Sequence, residues 1–367
     1  MGPGTDAPTG EHPEAGGSDF EDAGDGVSGE RPGSEGARRV HGPRGAPPLR
    51  RLPKIELHLH LEGCLTPFEA RYLAAKNRKN LPGGAIESLY RHDGFGSFLA
   101  NFGRLLDLFA EPRDLVWLLR RVRDRLRRQG VVYAEIRVSP SVWERHSIPP
   151  AETLGMLCRE ASGGTPPVRF IVDGVRQWDE ALLERDLALA LSHRHLGVVA
   201  FGLGGDEVSA PAARFGDLAS FCRAERLPVV PHAGEALGPE EVLSALGVFD
   251  PARIGHGIAA ASSPGVMDAL VRAGVHLEVC PTSNRATGVV PRGTPHPMGT
   301  LWRSGVSLSL GSDDPGLFGT TLGRELGWAL KHGGWTLEDV GRSMAMAARA
   351  AFLRPGEREG LLAALGV

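Results

Sequence analysis

The sequence predicts a (β/α)8 barrel of the TIM type with extra helices inserted after the first strand, and three observations support this fold class. Short apolar runs, several of them β-branched and bounded by Gly or Pro, alternate with amphipathic stretches of helical period. The 367 residues, 41% of them hydrophobic, suffice for one large domain of this kind plus an appendage. Polar clusters follow several runs at their carboxyl ends, where an α/β barrel assembles its chemistry.

The first segment, residues 1–48, differs sharply in composition from the remainder of the chain. It contains no Leu, Ile, Trp or Tyr and is dominated by Gly, Pro, Ala, Ser, Asp, Glu and Arg. Such a segment cannot bury enough apolar surface to offset the entropy lost on ordering. We therefore expect a disordered Gly/Pro-rich extension at 1–48 and a barrel domain at 49–367. A dispensable extension is the favoured interpretation, and a functional tail is the alternative.

Eight candidate strands follow one another from Leu49 onward, and helical stretches separate them. Strands buried on both faces read as short, continuous apolar runs, which is the pattern seen here. Eight strands with helices between them favour a closed parallel barrel over an open sheet. The predicted strands are 53–60, 131–138, 168–174, 197–203, 228–232, 252–256, 275–280 and 306–311.

The helical stretches are amphipathic, and residues 113–128 are an example. Five Leu and Val residues of that stretch share one face, and five Arg residues face the other way. We interpret this as a solvated basic face and not as a nucleic-acid stripe. The insertion between the first two strands, residues 61–130, is long enough to hold several helices over the barrel mouth. Further predicted helices are 152–161, 179–193, 211–225, 239–246, 263–273 and 336–352.

Charge, hydropathy and cysteine usage exclude several classes of protein. The formal net charge of −3 gives no basis for nucleic-acid binding, and no apolar run reaches membrane-spanning length. The acidic, Gly-rich start lacks the basic and apolar regions of a signal peptide. The four cysteines show no CxxC spacing and indicate thiols in a reducing cytoplasm. We expect a cytoplasmic protein with a small-molecule partner, and the oligomeric state stays open.

A pair of histidines, His58 and His60, ends the first predicted strand. Side chains on a strand alternate between faces, so both imidazoles point the same way, about 7 Å apart along the chain. Glu56 shares that face. The spacing suits two ligands of one metal ion, because imidazole nitrogens lie roughly 2 Å from zinc. Two polar residues on an exposed strand are the alternative for this pair taken alone.

Three further polar clusters follow later strands. His232 and Glu235 lie in the segment Pro-His-Ala-Gly-Glu, and His256 lies in Arg-Ile-Gly-His-Gly. Asp313 and Asp314 follow the last predicted strand. Taken alone, His232 and Glu235 could lie in a surface turn. The two aspartates could cap a helix, because an Asp at that position accepts backbone N–H bonds.

These clusters together resemble the adenosine deaminase family of metal-dependent hydrolases, and they occur in the family's order. The resemblance spans residues 52–350. The matching motifs are Glu-Leu-His-Leu-His-Leu-Glu-Gly (56–63), Val-Val-Tyr-Ala-Glu-Ile-Arg (131–137), Gly-Gly-Asp-Glu (204–207), His-Ala-Gly-Glu (232–235), Arg-Ile-Gly-His-Gly (253–257), Cys-Pro-Thr-Ser-Asn (280–284) and Ser-Asp-Asp-Pro (312–315).

The residue types suit the chemistry that the resemblance implies. Hydrolytic removal of an amine from a 6-aminopurine needs an activated water and a proton donor to the ring. Three imidazoles and one carboxylate form a plausible Zn²⁺ shell with one position left for water. These four ligands are His58, His60, His232 and Asp313. His256 would take a proton from the water and orient it, and Glu235 would stay partly protonated and donate to purine N1.

Residues at the substrate follow from the resemblance alone. Gly205 would meet purine N3 through its backbone N–H, and Asp314 would meet N7. Adenosine deaminases of the well-known type carry Asp where this chain has Glu62, and that Asp reaches the ribose 5′-hydroxyl. We expect Glu62 to share a face of the strand with His60 and to accept a sugar hydroxyl. Phe98 would lower an apolar wall over the ligand or, alternatively, serve as an ordinary core residue.

The resemblance thus implies a cytoplasmic aminohydrolase of purine metabolism that acts on a 6-aminopurine nucleoside, such as adenosine or deoxyadenosine. Aminodeoxyfutalosine deaminase and adenine deaminase are the enzymatic alternatives. Gly204–Glu207 has the form of the nucleoside deaminases, whereas adenine deaminases usually carry a Ser-Ser-Glu form there. An inactive barrel that acts as a binding protein is the non-enzymatic alternative, and the intact set of ligand-type residues argues against it.

Overall fold

Eight parallel strands form one sheet whose strand order follows the chain. The structure is a computed structural model, and it describes residues 49–80 and 86–367. Residues past β8 return to β1, because the Asp313 N–H donates to the His58 carbonyl at 2.9 Å and the His60 N–H donates to the Asp313 carbonyl at 2.8 Å. The strands are β1 (Lys54–His60), β2 (Val131–Val138), β3 (Val168–Val175), β4 (Val198–Gly204), β5 (Val229–Ala233), β6 (Arg253–His256), β7 (His276–Val279) and β8 (Ser307–Leu310).

The predicted barrel is confirmed, and each strand bound lies within two residues of its prediction. The strands are buried on both faces, as the continuous apolar runs indicated. The predicted extension at 1–48 and its boundary with the barrel domain lie outside the described residues. No helix in the described ranges is long and apolar enough to cross a membrane.

Fourteen α-helices pack around this barrel in the described part of the chain. They are α1 (Pro67–Lys76), α2 (Phe95–Leu106), α3 (Pro112–Arg128), α4 (Pro140–Arg145), α5 (Pro150–Ala161), α6 (Glu180–Ser192), α7 (Gly216–Ala224), α8 (Pro239–Phe249), α9 (Pro264–Ala273), α10 (Pro281–Ala286), α11 (Met298–Arg303), α12 (Leu322–His332), α13 (Leu337–Ala350) and α14 (Pro355–Leu365).

Helix α3 shows how local sequence sets these elements. Pro112 occupies the first turn, and Glu111 and Asp114 form a reciprocal capping box that satisfies free backbone N–H groups. Its Leu and Val face is buried, and each such side chain contributes about 1.5–3 kcal/mol when fully buried. Two of its arginines, Arg120 and Arg123, pair with Glu160 of α5. The basic face is therefore solvated, as predicted, and two of its arginines also pair with a carboxylate of the same chain.

The insertion after β1 contains α1, α2 and α3, which confirms the predicted helices between the first two strands. Five helices were not predicted: α4, α10, α11, α12 and α14. Three of these have only six residues, too few to show a helical period. The predicted helix 211–225 is divided into a 3-10 turn, Ala212–Phe215, and α7.

Candidate active site

The four predicted metal ligands meet at the carboxyl ends of the strands. His58 and His60 belong to β1, His232 belongs to β5, and Asp313 follows β8. The ring centroids of His58 and His60 lie 5.4 Å apart, and those of His58 and His232 lie 4.9 Å apart. Potential ligand atoms of the three histidines all lie within 4.8 Å of one another. Asp313 Oδ1 lies 3.5 Å from His58 Nε2 and 3.4 Å from His60 Nε2.

The hydrogen bonds of the histidines direct their second ring nitrogens into this cluster. His58 Nδ1 is 2.7 Å from Glu278 Oε2, and His232 Nδ1 is 3.2 Å from the Leu203 carbonyl. Each ring thus presents its Nε2 to the cluster, and the buried Nε2 of His58 has no hydrogen-bond partner there. Metal-binding histidines are commonly oriented by such partners on the second nitrogen. This arrangement fits a bound metal ion.

Protonation also suits a metal ion. Burial lowers the pKa of His60 to about 3 and lowers that of His232 well below its usual range, so both imidazoles are neutral. Burial and the charge of Arg137 would lower the pKa of His58, but its hydrogen bonds to Asp313 and Glu278 outweigh them and raise it to about 9. Burial would raise the pKa of Asp313, but the hydrogen bond and charge of the protonated His58 ring lower it. A metal ion would displace the proton from His58, and the three neutral imidazoles with an ionised carboxylate would then be a donor set that zinc accepts.

Cys280 is a competing ligand, since its sulfur also lies near His58 and Asp313. It is buried directly after β7, as the sequence predicts for a strand end. Burial raises the pKa of its thiol well above the usual range. A thiol binds metal as the thiolate, so the histidine set is the better shell.

Two residues of the site have left-handed backbone conformations that are unusual for residues other than glycine. They are His256, with φ of 60°, and Asp313, with φ of 58°. Such a conformation costs of the order of 1–2 kcal/mol per residue, and it persists where the surrounding structure enforces it. At Asp313 the two backbone hydrogen bonds to β1 supply that enforcement. Strain of this kind commonly marks a functional site.

Glu235 lies on a loop that a second glutamate holds in place. The carboxylate of Glu207 accepts backbone N–H bonds from Gly234, from Glu235 at 3.1 Å, from Ala236 at 2.7 Å and from Leu237 at 3.0 Å. Burial, together with the charges of Asp313 and Glu207, raises the pKa of Glu235 to about 8. Glu235 is therefore mainly protonated at neutral pH and can donate a proton.

A chain of hydrogen bonds sets the tautomer of His256. The Met298 N–H donates to His296 Nδ1 at 3.1 Å, so His296 carries its proton on Nε2, which lies 3.3 Å from Asn284 Oδ1. The Asn284 amide nitrogen then faces His256 Nδ1 at 3.1 Å. Neutral His256 accordingly carries its proton on Nε2, 3.5 Å from Glu235 Oε2. His256 can therefore donate a hydrogen bond from Nε2 to a group bound in the site.

Beneath the histidines, the barrel interior holds a buried network of charges. Glu278 lies 3.0 Å from Arg137 and 2.7 Å from Arg253, and it also contacts His58. Burial alone would raise the pKa of Glu278, but the two arginines, Arg253 first, hold it well below its usual range. Arg137 also pairs with Asp173 at 3.0 Å, and Arg253 with Glu135 at 2.6 Å. Ion pairs with Arg137 and Arg253 thus hold in place the Glu278 carboxylate that orients His58.

A cavity of about 440 Å³ opens from the metal ligands toward α2 and α4. All four predicted substrate residues, Gly205, Asp314, Glu62 and Phe98, line it. Glu62 differs from its prediction in one respect, because β1 ends at His60 and Glu62 begins a 3-10 turn. Its Oε1 accepts hydrogen bonds from Ser139 N at 3.1 Å and from Trp143 Nε1 at 2.6 Å.

The next residue, Gly63, has no space for a side chain. A Cβ on Gly63 would lie 1.7 Å from Asp314 Oδ1, so only glycine leaves space for that carboxylate. Phe98 of α2 stacks on Phe318 with ring centroids 5.0 Å apart. It therefore lines the cavity and is also a packed residue, and its contact with a ligand stays a prediction.

Four functional residues were not assigned from the sequence: Glu207, Asn284, Glu278 and His296. Glu207 and Asn284 lie in two of the matching motifs, Gly204–Glu207 and Cys280–Asn284. The motifs therefore indicated these two positions, but they did not indicate what the residues do. Glu278 is a single charge within an apolar strand, and His296 lies in a loop without a motif. Only the fold shows what these two residues contact.

Comparisons with known proteins agree with this arrangement. The family model described as adenosine deaminase matches residues 53–366. An adenine deaminase from Chelativorans sp. (strain BNC1) is 33% identical over 319 residues, which cover 86% of this chain and 98% of that protein. An aminodeoxyfutalosine deaminase from Acidothermus cellulolyticus is 33% identical over 298 residues, covering 77% and 83%. The crystal structure of adenine deaminase from Arthrobacter aurescens has a TM-score of 0.81 at 25% identity, covering 86% of this chain and 98% of that chain.

Proposed function

The chain belongs to the adenosine deaminase family of hydrolases, and from that membership we propose that it is a zinc-dependent deaminase of a 6-aminopurine nucleoside. Family members hydrolyse amidine C–N bonds, and the similar proteins carry names of deaminases that act on adenine-like substrates. The overall reaction consumes water and converts the 6-amino group to a 6-oxo group with release of ammonia.

The metal would be held by His58, His60, His232 and Asp313. The orphaned Nε2 of His58 and the neutral state of His60 and His232 support this assignment. A zinc ion at this place supplies Lewis acidity, which lowers the pKa of water toward neutrality.

The remaining side chains would handle protons and orientation. Glu235, protonated at neutral pH, donates to purine N1 as the ring carbon becomes tetrahedral. His256 donates a hydrogen bond from Nε2 that orients the attacking water, a role that the Asn284 contact favours. Uptake of a proton by His256 stays a prediction. Asp314, whose pKa is raised well above its usual range by burial and by Asp313, can donate to N7, and the Gly205 N–H can donate to N3.

The observation that carries the nucleoside assignment is the extent of the cavity. It continues from the metal ligands past Glu62 to α2 and to the far end of α4. A volume of about 440 Å³ falls within the range of about 300–1,000 Å³ found for drug-sized ligands, and a free purine would leave much of it unused. One oxygen of Glu62 is anchored by Trp143, so the other can accept a sugar hydroxyl.

The test is a substrate panel of adenosine, deoxyadenosine, adenine and aminodeoxyfutalosine, followed by loss of the 6-amino absorbance. A nucleoside should exceed adenine in kcat/KM by at least ~10²-fold, because a buried polar group aimed at a hydroxyl rejects ligands that lack it. Glu62→Ala should shrink that ratio and leave zinc in place. A preference for adenine would overturn the nucleoside assignment in favour of adenine deaminase. Zinc binding without turnover of any of the four would favour the inactive binding barrel.

A further inference from the structure

The end of the cavity remote from the metal ligands holds an arginine stacked on a tryptophan. Arg145 Cζ lies 4.0 Å from the centre of the Trp178 ring, and both residues line the cavity. Ser139, Val142 and Arg145 line it at intervals of three residues along α4. Ser139 contacts Glu62, and at a rise of 1.5 Å per residue the backbone of Arg145 lies roughly 9 Å farther along the helix.

Arg145 is the only Arg or Lys among the described residues that line the cavity. Its guanidinium has no carboxylate within 4 Å in the described ranges, whereas nearby charged groups are paired. His146 Nδ1 lies 3.0 Å from Asp107, and Glu144 lies 3.4 Å from Arg185. The carboxylate of Asp173 pairs with Arg137. The donors of Arg145 are therefore free to bind an anion, and the Trp178 ring holds the guanidinium plane in position.

On the side of α2 the cavity wall is apolar. It is formed by Phe95, Phe98, Leu99, Phe102, Leu106 and Val142. Five of these six side chains come from α2, and the His146–Asp107 pair connects the end of α4 to the end of α2. A ligand group in this stretch gains by being apolar, because a charge there would lose hydration without a partner.

We propose that this end of the cavity is a subsite for an anionic group at the tip of an apolar substituent on the sugar. Arg145 is then the residue that determines specificity. The inference rests on the proposed function, since the purine at the metal ligands fixes which end of the substrate reaches Arg145. The planar guanidinium pairs with a carboxylate through two parallel hydrogen bonds. An aryl carboxylate fits this geometry, whereas a phosphate directly on the sugar would lie within the apolar stretch.

The experiment compares kcat/KM for aminodeoxyfutalosine, which carries an aryl carboxylate beyond the ribose, with that for its methyl ester, for adenosine and for adenosine 5′-monophosphate. Arg145→Gln, Arg145→Lys and the wild type are measured. Arg272→Gln removes an exposed arginine on α9, away from the cavity, and is the matched control. Zinc content and circular dichroism verify that each variant is folded.

The wild type should prefer the free acid to its ester by about tenfold or more at low salt, the scale of one charge-assisted hydrogen bond. Arg145→Gln should abolish this preference and leave adenosine at the wild-type rate, and Arg145→Lys should keep part of it. The preference should also fall with ionic strength, since Arg145 is exposed. Arg272→Gln should match the wild type throughout.

Equal losses for acid and ester in Arg145→Gln would overturn the subsite while leaving the nucleoside function intact. A stronger dependence on Arg145 for adenosine 5′-monophosphate than for the aryl carboxylate would overturn the carboxylate assignment. Turnover of adenine without turnover of any nucleoside would overturn both the proposed function and this subsite.

Discussion

Replacing Glu278 with glutamine tests whether the buried charge network positions the metal site. Glu278 Oε2 accepts from His58 Nδ1 at 2.7 Å and from Arg137 at 3.0 Å, while Oε1 lies 2.7 Å from Arg253 Nε. A glutamine carbonyl can replace Oε2, but its amide nitrogen then opposes the N–H of Arg253. One ionic contact is lost, and the bond to His58 becomes a weaker, neutral one.

The size of the effect follows from these contacts. Removing one member of a buried ion pair costs about 3–5 kcal/mol of unfolding free energy, because the partner charge stays buried. Loss of a carboxylate that orients a metal-binding histidine lowers metal affinity by about 10–100-fold, or roughly 1.4–2.7 kcal/mol. Glu278→Gln should therefore weaken both folding and zinc binding.

Glu135→Gln is the matched control, since Glu135 pairs with the same Arg253 but makes no contact with His58. It should lose comparable stability and keep its zinc affinity. Zinc affinity is measured by equilibrium competition with a chromophoric chelator, and stability by thermal unfolding of the metal-free protein. An equal loss of zinc affinity in both variants, or unchanged affinity in Glu278→Gln, would refute the positioning role.

The other predictions concern the site and the extension. His232→Ala should lose bound zinc and activity together, as measured by metal analysis and the deamination assay; full zinc occupancy would contradict its role as a ligand. Glu235→Gln should keep zinc and lower kcat by at least ~10²-fold, and near-normal turnover would exclude Glu235 as the acid. Because the pKa of Glu235 is raised to about 8, wild-type kcat should fall as pH rises through that value, and a flat profile from pH 7 to 9.5 would count against this. A variant beginning at Leu49 should match the full chain in kcat/KM, and a large loss would show that residues 1–48 have a role.

The sequence predicted those features of the structure that depend on one short segment of the chain. Buried parallel strands are continuous apolar runs, so their bounds could be predicted to within two residues. His58 and His60 could be paired because alternation along one strand decides which side chains share a face. Helices of six residues escaped prediction, since they are shorter than two turns. The assignment of Glu62 to the strand was wrong, because β1 ends at His60, but Glu62 lines the same cavity as His60.

The least predictable part of the site was its buried charge network, for a physical reason. Glu278 and Arg137 are 141 positions apart, and nothing in the sequence of either strand indicates that the two charges meet. Periodicity describes one strand at a time and cannot pair residues on β2, β6 and β7. Only barrel closure places Arg137 and Arg253 against one carboxylate.

The network also explains why the ordinary apolar packing of a barrel interior is interrupted below the histidines. Branched apolar side chains usually fill that interior, and replacing buried ion pairs with such residues is often neutral or stabilising. Compared with an apolar core, a charged layer beneath His58 is not needed for folding, yet its carboxylate holds the imidazole in one orientation. Gly311 supports the same arrangement, because a Cβ there would lie 2.6 Å from His58 Cβ. The charge network and Gly311 both replace apolar packing that would stabilise the barrel, and both contact His58. This pattern is expected where a barrel loses packing in order to position a metal ligand.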